Sequence, residues 1–152
     1  MRVGSKRRGR VLVVDDNLSL AENIAEFLAL EGFETEIAAS GFEAVLKALP
    51  VPPDVVVTDY RLPDMDGASV LRALRQMGLR VRAVVVSACT DDATVADAHD
   101  AGAAFLSKPT DLDILGRLLC EDEAARRPSA HPDRDDRAIR VAHDVLGDAA
   151  EE

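Results

Sequence analysis

Between residues 10 and 120, short valine-rich runs alternate with amphipathic stretches, and this alternation restricts the fold more than any other feature. The runs RVLVVD (10–15), ETEIA (34–38), DVVVT (54–58), VRAVVV (81–86) and AAFL (103–106) read as strands, being short and bounded by turn residues. The stretches at 18–31, 41–49, 66–77, 91–101 and 111–120 read as helices. In LSLAENIAEFLALEGF, for example, Leu20, Ile24, Phe27 and Leu28 form a stripe that stops at Glu31-Gly32. Asp111 stands where an N-cap would before LDILGRLL, and PVPPD can only be a loop. Strands that are apolar at consecutive positions must be covered on both faces, so the predicted fold class is α/β, a three-layer sandwich around five parallel strands.

In such a sheet, ligands bind beyond the carboxyl ends of the strands, where strand order reverses. That rule makes neighbours of residues far apart in sequence. Asp15 and Asp16 follow the first strand, Asp59 the third, Ser87 the fourth and Lys108 the fifth. Singly, each has an ordinary reading: strand-end aspartates often cap helices, a serine can close a turn, and a lysine before proline is usually solvated. Together they place three carboxylates, a hydroxyl and an ammonium at one edge, which caps and turns do not explain.

The chemistry of that set is coherent. Adjacent carboxylates repel unless a cation neutralises them, and Mg²⁺, a hard ion that retains several waters, suits an oxygen-only site. One carboxylate can then attack phosphorus and form an acyl phosphate, while the cation and the lysine hold phosphoryl oxygens and the hydroxyl adds a hydrogen bond. Within TDYRLPDMDG (58–67), Asp59 alone stands at a strand end; Asp64 and Asp66 shape the loop, with Asp66 an N-cap for the next helix. A calcium loop is excluded, because setting Gly67 as the loop glycine puts Leu62 and Ala73 at ligand positions. No D-x-D-x-[TV] motif follows the first strand, as a haloacid-dehalogenase-type phosphohydrolase would require, and no glycine-rich nucleotide loop occurs.

VLVVDDN, DVVVTDYRLPDMDG, VVVSA and AGAAFLSKP, in this order, resemble the receiver domain of bacterial two-component response regulators, over about residues 10–120. The resemblance implies a flavodoxin-like fold with strand order 2-1-3-4-5. It implies that Asp59 accepts the phosphoryl group and that Asp15 and Asp16, with the backbone carbonyl of Arg61, hold Mg²⁺. Lys108 would pair with the modified carboxylate, Ser87 would be the switch hydroxyl and Phe105 the switch aromatic. Ala88 leaves room for a phosphodonor, while Arg61 and Cys89 flank the path of the hydrolysing water and are expected to set the lifetime of the acyl phosphate. The implied role is a phosphorylation-activated switch rather than an enzyme. Its implied partners are a sensor histidine kinase or histidine phosphotransfer protein and a downstream protein target.

Charge and composition limit the alternatives. The net charge of −10 disfavours direct nucleic-acid binding, and no apolar run approaches membrane-spanning length, so a cytoplasmic protein is expected. Cys89 and Cys120 lack metal-ligand or disulfide spacing, and His99 and His131 have no functional context. Residues 1–9 read as a basic disordered lead, 121–133 as a charged linker and 134–149 as a short helix, with no room for an output domain of usual size. That helix, RAIRVAHDVLGD, serves docking or homodimerisation on the plainer reading. It also resembles a histidine-kinase phosphoacceptor helix, which would make His143 a phosphosite, Asp144 its general-base neighbour, and the chain a phosphorelay intermediate.

Overall fold

The computed structural model describes residues 8–120 in full and the helical backbone of 121–125. Strands β1 (Arg10–Val14), β2 (Glu34–Ala38), β3 (Val55–Asp59), β4 (Arg82–Ser87) and β5 (Ala104–Ser107) alternate with helices α1 (Leu18–Leu30), α2 (Gly41–Ala48), α3 (Gly67–Gln76), α4 (Asp92–Asp100) and α5 (Leu112–Ala125). The strands form one parallel sheet in the order β2-β1-β3-β4-β5, the flavodoxin-like arrangement expected.

The valine runs explain the three layers. Because side chains alternate across a strand, Leu12, Val14, Val56 and Val85 enter one core, packed under α2, α3 and α4. Val11, Val13, Val55, Val57, Val84 and Val86 enter a second core on the opposite face, under α1 and α5. Burying both faces of the central strands requires this double cover and sends their polar groups to the sheet ends.

Local sequence sets the helix ends. Asn17, Ser40, Asp66 and Asp91 accept hydrogen bonds from N–H groups in the first turns of α1, α2, α3 and α4, and Asp111 does the same before α5. After α1 the chain leaves the helix at Gly32, whose φ of 105° lies in the left-handed region, while Phe33 N–H reaches back to the Leu28 carbonyl.

Three expectations need correction. Helix α5 continues to Ala125, past the expected linker start at 121, because CEDEAA contains no helix breaker. Arg8 and Gly9 are not part of a free lead: Arg8 N–H donates to the Gly32 carbonyl, and the Gly9 carbonyl accepts from Glu34 N–H. Leu20, assigned to the buried stripe of α1, is exposed, and Ala21 and Ala25 take that face instead. The 134–149 helix, His131, His143 and Asp144 lie outside the described residues.

Gly67 fixes the loop that follows Asp59. Its N–H donates to the Tyr60 carbonyl at 2.7 Å, and an added Cβ would lie 2.5 Å from the Asp59 carbonyl oxygen. Backbone cannot yield as a side chain tip can, so Gly67→Ala is expected to lower stability by about 1–3 kcal/mol. Urea denaturation checks this as a lower midpoint at unchanged slope, and an unchanged midpoint would refute the packing argument.

Candidate functional site

The register of the sheet assembles the site. Val14 pairs with Thr58 and Asp59 with Val86, so the residues that follow β1, β3 and β4 emerge side by side. Lys108 is brought in by its own N–H, which donates to the Ser87 carbonyl at 2.9 Å. Asp15, Asp16, Asp59, Ser87 and Lys108 thus lie at one edge.

Lys108 is the centre of that edge. Its Nζ donates to Asp15 Oδ2 at 3.3 Å and to Asp59 Oδ2 at 3.2 Å. Asp15 is buried and Asp16 exposed, and each of Asp15, Asp16 and Asp59 offers a carboxylate oxygen within 4.8 Å of the others. Three carboxylates against one ammonium leave about two negative charges uncompensated, which matches a divalent cation. An oxygen-only donor set with one open side is what a cation that keeps its waters requires, so these residues fit Mg²⁺.

Burial, and next the charge of Asp15, raise the pKa of Asp59 above 3.8, although hydrogen bonds and charge from Lys108 and the Arg61 N–H pull the other way. Burial is also the largest influence on Lys108 and opposes its charge, yet Asp59 and Asp15 together outweigh it and hold its pKa above 10.5. The ammonium is therefore secured by the carboxylates it neutralises.

The remaining expected residues surround this centre. Ser87 is buried, its hydroxyl accepting from Cys89 N–H at 3.0 Å, and Ala88 beyond it is exposed. Arg61 is exposed, with its N–H 3.4 Å from Asp59 Oδ1 and its charge felt by Asp91. Phe105 is 4% exposed, opposite Val85 and inside the core under α2, α3 and α4. Beside Lys108, a cleft of about 500 Å³ opens between Leu20, Ile24, Ala88, Pro109 and Leu112.

Two features had no adequate sequence signal. Asp64 does not serve its own loop alone: its oxygens accept from the Gly41 and Phe42 N–H groups at 2.9 and 2.8 Å, joining that loop to the start of α2. These bonds hold its pKa below the usual 3.8. Tyr60, next to Asp59, donates its hydroxyl to Asp97 Oδ2 on α4 at 2.7 Å, and chiefly this bond pushes the phenol up to about 12. Both pairs bridge elements distant in sequence, and aspartate in a loop or helix has no residue pattern that names such a partner.

Residues 11–119 match the response regulator receiver domain family. Among curated proteins, regulatory protein AtoC of Escherichia coli is 34% identical over 111 residues, covering 72% of this chain and 24% of AtoC. Transcriptional regulatory protein KdpE of Mycobacterium tuberculosis is 38% identical over 122 residues, covering 79% of this chain and 52% of KdpE. The chain thus spans about half or less of these two relatives. A CheY-like receiver domain protein from Methanospirillum hungatei superposes with a TM-score of 0.72 at 26% identity, over 79% of this chain and 95% of that one. For the chemotaxis response regulator CheY4 of Vibrio cholerae the TM-score is 0.67 at 29% identity, over 73% of this chain and 95% of that one. Among the described residues no helix is long and apolar enough to cross a membrane. With the five-strand order, the strand-end carboxylates and the family match in agreement, the chain belongs to the response regulator receiver domains, the phosphorylation-dependent switch modules of two-component signalling.

Proposed function

We propose that Asp59 is the phosphoacceptor of this receiver domain and that Asp15, Asp16 and Asp59, with the Arg61 carbonyl, hold Mg²⁺. The observation that carries this reading is the Lys108 ammonium bridging Asp15 and Asp59 within a cluster of three carboxylates. A carboxylate oxygen of Asp59 attacks phosphorus; the P–O bond to an acetyl donor, or the P–N bond to a phosphohistidine, breaks, and its electron pair leaves with the donor. Lys108 stays protonated and neutralises charge on the transferred oxygens. Bound Mg²⁺ would supply further neutralisation of those oxygens. The open cleft beside Lys108 and Ala88 gives a donor room to approach.

The new charge draws the Ser87 hydroxyl away from Cys89 N–H, and the space it vacates permits Phe105 to repack. The changed surface is then read by a downstream protein, and the donor is a sensor histidine kinase or a histidine phosphotransfer protein. Arg61 and Cys89 set how readily water reaches the acyl phosphate.

Incubation with Mg²⁺ and acetyl phosphate, followed by intact mass, should add one phosphoryl group to the wild type and none to Asp59→Asn. An adduct that survives this substitution would overturn the assignment. Lys108→Ala should slow phosphorylation on the order of a hundredfold, measured as the rate of adduct formation.

The pKa of Asp59 gives a stability prediction. Its folded value is raised, so the folded carboxyl keeps its proton to higher pH than the unfolded one. The resulting penalty grows as pH rises through 3.8 and is complete above the raised folded value. Asp59→Asn should therefore raise the Tm at pH 7 in metal-free buffer, with the gain shrinking on acidification below the ordinary carboxylate range. Millimolar Mg²⁺ should raise the Tm of the wild type and narrow the difference. A variant no more stable than wild type at pH 7 would contradict the sign of the shift.

A further inference from the structure

Helix α4 combines slight apolar burial with several directional polar contacts to the domain. It buries only Thr94 and Ala98, with Val95 half-buried beside them, whereas α1 buries Ala21, Ile24, Ala25 and Leu28 and α3 buries Val70, Leu71 and Leu74. Such small buried groups contribute little through area alone. Polar groups from α3 and from Tyr60, the residue after β3, also reach the helix. Tyr60 Oη donates to Asp97 Oδ2 at 2.7 Å, and Arg72 Nη2 donates to Asp97 Oδ1 at 2.6 Å. At the end of the helix the Arg75 guanidinium donates to the Ala101 carbonyl and, at 2.9 Å, to the Val81 carbonyl. A cation here also complements the negative end of the helix dipole.

Both ends of this arrangement reach the Asp59 site. Tyr60 is the next residue after Asp59, and its N–H donates to the Val86 carbonyl at 2.8 Å, beside Ser87. The loop from Ser87 into α4 is short and bonded near each end: Cys89 N–H to Ser87 Oγ, and Thr94 N–H in the first turn of α4 to Asp91 Oδ1 at 2.8 Å. Covalent and hydrogen-bonded links thus run from Ser87 and from Asp59 to the contacts at Asp97.

We propose that Asp97, shared by Tyr60 and Arg72, is the anchor of a polar clamp that Arg75 completes at the Ala101 carbonyl, and that this clamp fixes the position of α4 and couples it to the state of Asp59. The coupling rests on the reading of Asp59 as phosphoacceptor; the clamp itself does not. Asp97 acts here as a positioning residue, through Tyr60 and the α4 backbone, without touching the transferred group.

Hydrogen–deuterium exchange of the full chain, unphosphorylated, tests the clamp with Tyr60→Phe, Asp97→Asn and the double variant. Exchange in α4 should be about tenfold faster in Asp97→Asn, less so in Tyr60→Phe, and unchanged in α1 and α5. The double variant should match Asp97→Asn, because the Tyr60 contact acts through that anchor. Tyr60→Phe keeps the ring in place and so serves where Asp97→Asn folds poorly. Equal α4 exchange in all variants, or acceleration spread evenly over the domain, would overturn the clamp.

For the coupling, acetyl phosphate should modify Asp59 of Asp97→Asn at a rate several-fold different from wild type. Glu26→Gln, which removes an exposed carboxylate from α1, should leave the rate unchanged. Faster α4 exchange with equal phosphorylation rates would overturn the coupling alone. A wild type that takes up no phosphoryl group would defeat the phosphoacceptor reading, while exchange in the unmodified proteins would still decide the clamp.

Discussion

The Lys108 ammonium, within 3.3 Å of both Asp15 and Asp59, is the interaction on which the functional edge depends. Without it, three carboxylates whose oxygens lie within 4.8 Å would be held together against their own repulsion, at a place where burial already disfavours charge. With it, the cluster is left short of neutrality by the charge of one divalent ion. The site is thereby stable enough to exist and unbalanced enough to favour a divalent cation.

Everything behind that edge serves to hold these charges at fixed spacing. The sheet is buried on both faces by two separate cores, so its strands cannot slip in register without exposing valines. Register in turn sets Asp59 beside Val86 and delivers Asp15 from the neighbouring strand. The loop after Asp59 is pinned twice more, by the close approach of Gly67 to the Asp59 carbonyl and by Asp64 at the start of α2. Against this rigid background α4 stands out, since its burial is slight and its attachments are polar and directional. Directional contacts can break and re-form in a new arrangement more readily than a packed core can, which suits the coupling proposed for this helix.

Much of this was legible in the chain itself. The helix and strand segments follow from the valine runs and the caps, because strand burial and N-cap chemistry are local and use recognisable residues. The strand-end rule then brings Asp15, Asp59, Ser87 and Lys108 to one edge without any coordinates. Leu20 was misread because a helical stripe has a width, and only the path of the neighbouring loop after β5 decides where its margin falls. The end of α5 was misread because a charged segment without prolines suits a solvated helix as well as a linker.

By itself the sequence determined that this chain forms an α/β sandwich with an acidic, lysine-bearing edge, since periodicity, strand-end position and residue chemistry are properties of short segments. Only the tertiary structure decided what that edge is connected to. That Asp64 reaches beyond its own loop to the start of α2, and that Tyr60 and Arg72 meet on Asp97, depends on helix crossings and loop paths. A carboxylate accepts equally from any donor within reach, so its partner is chosen by geometry, and geometry between distant elements is set only when the whole core has packed.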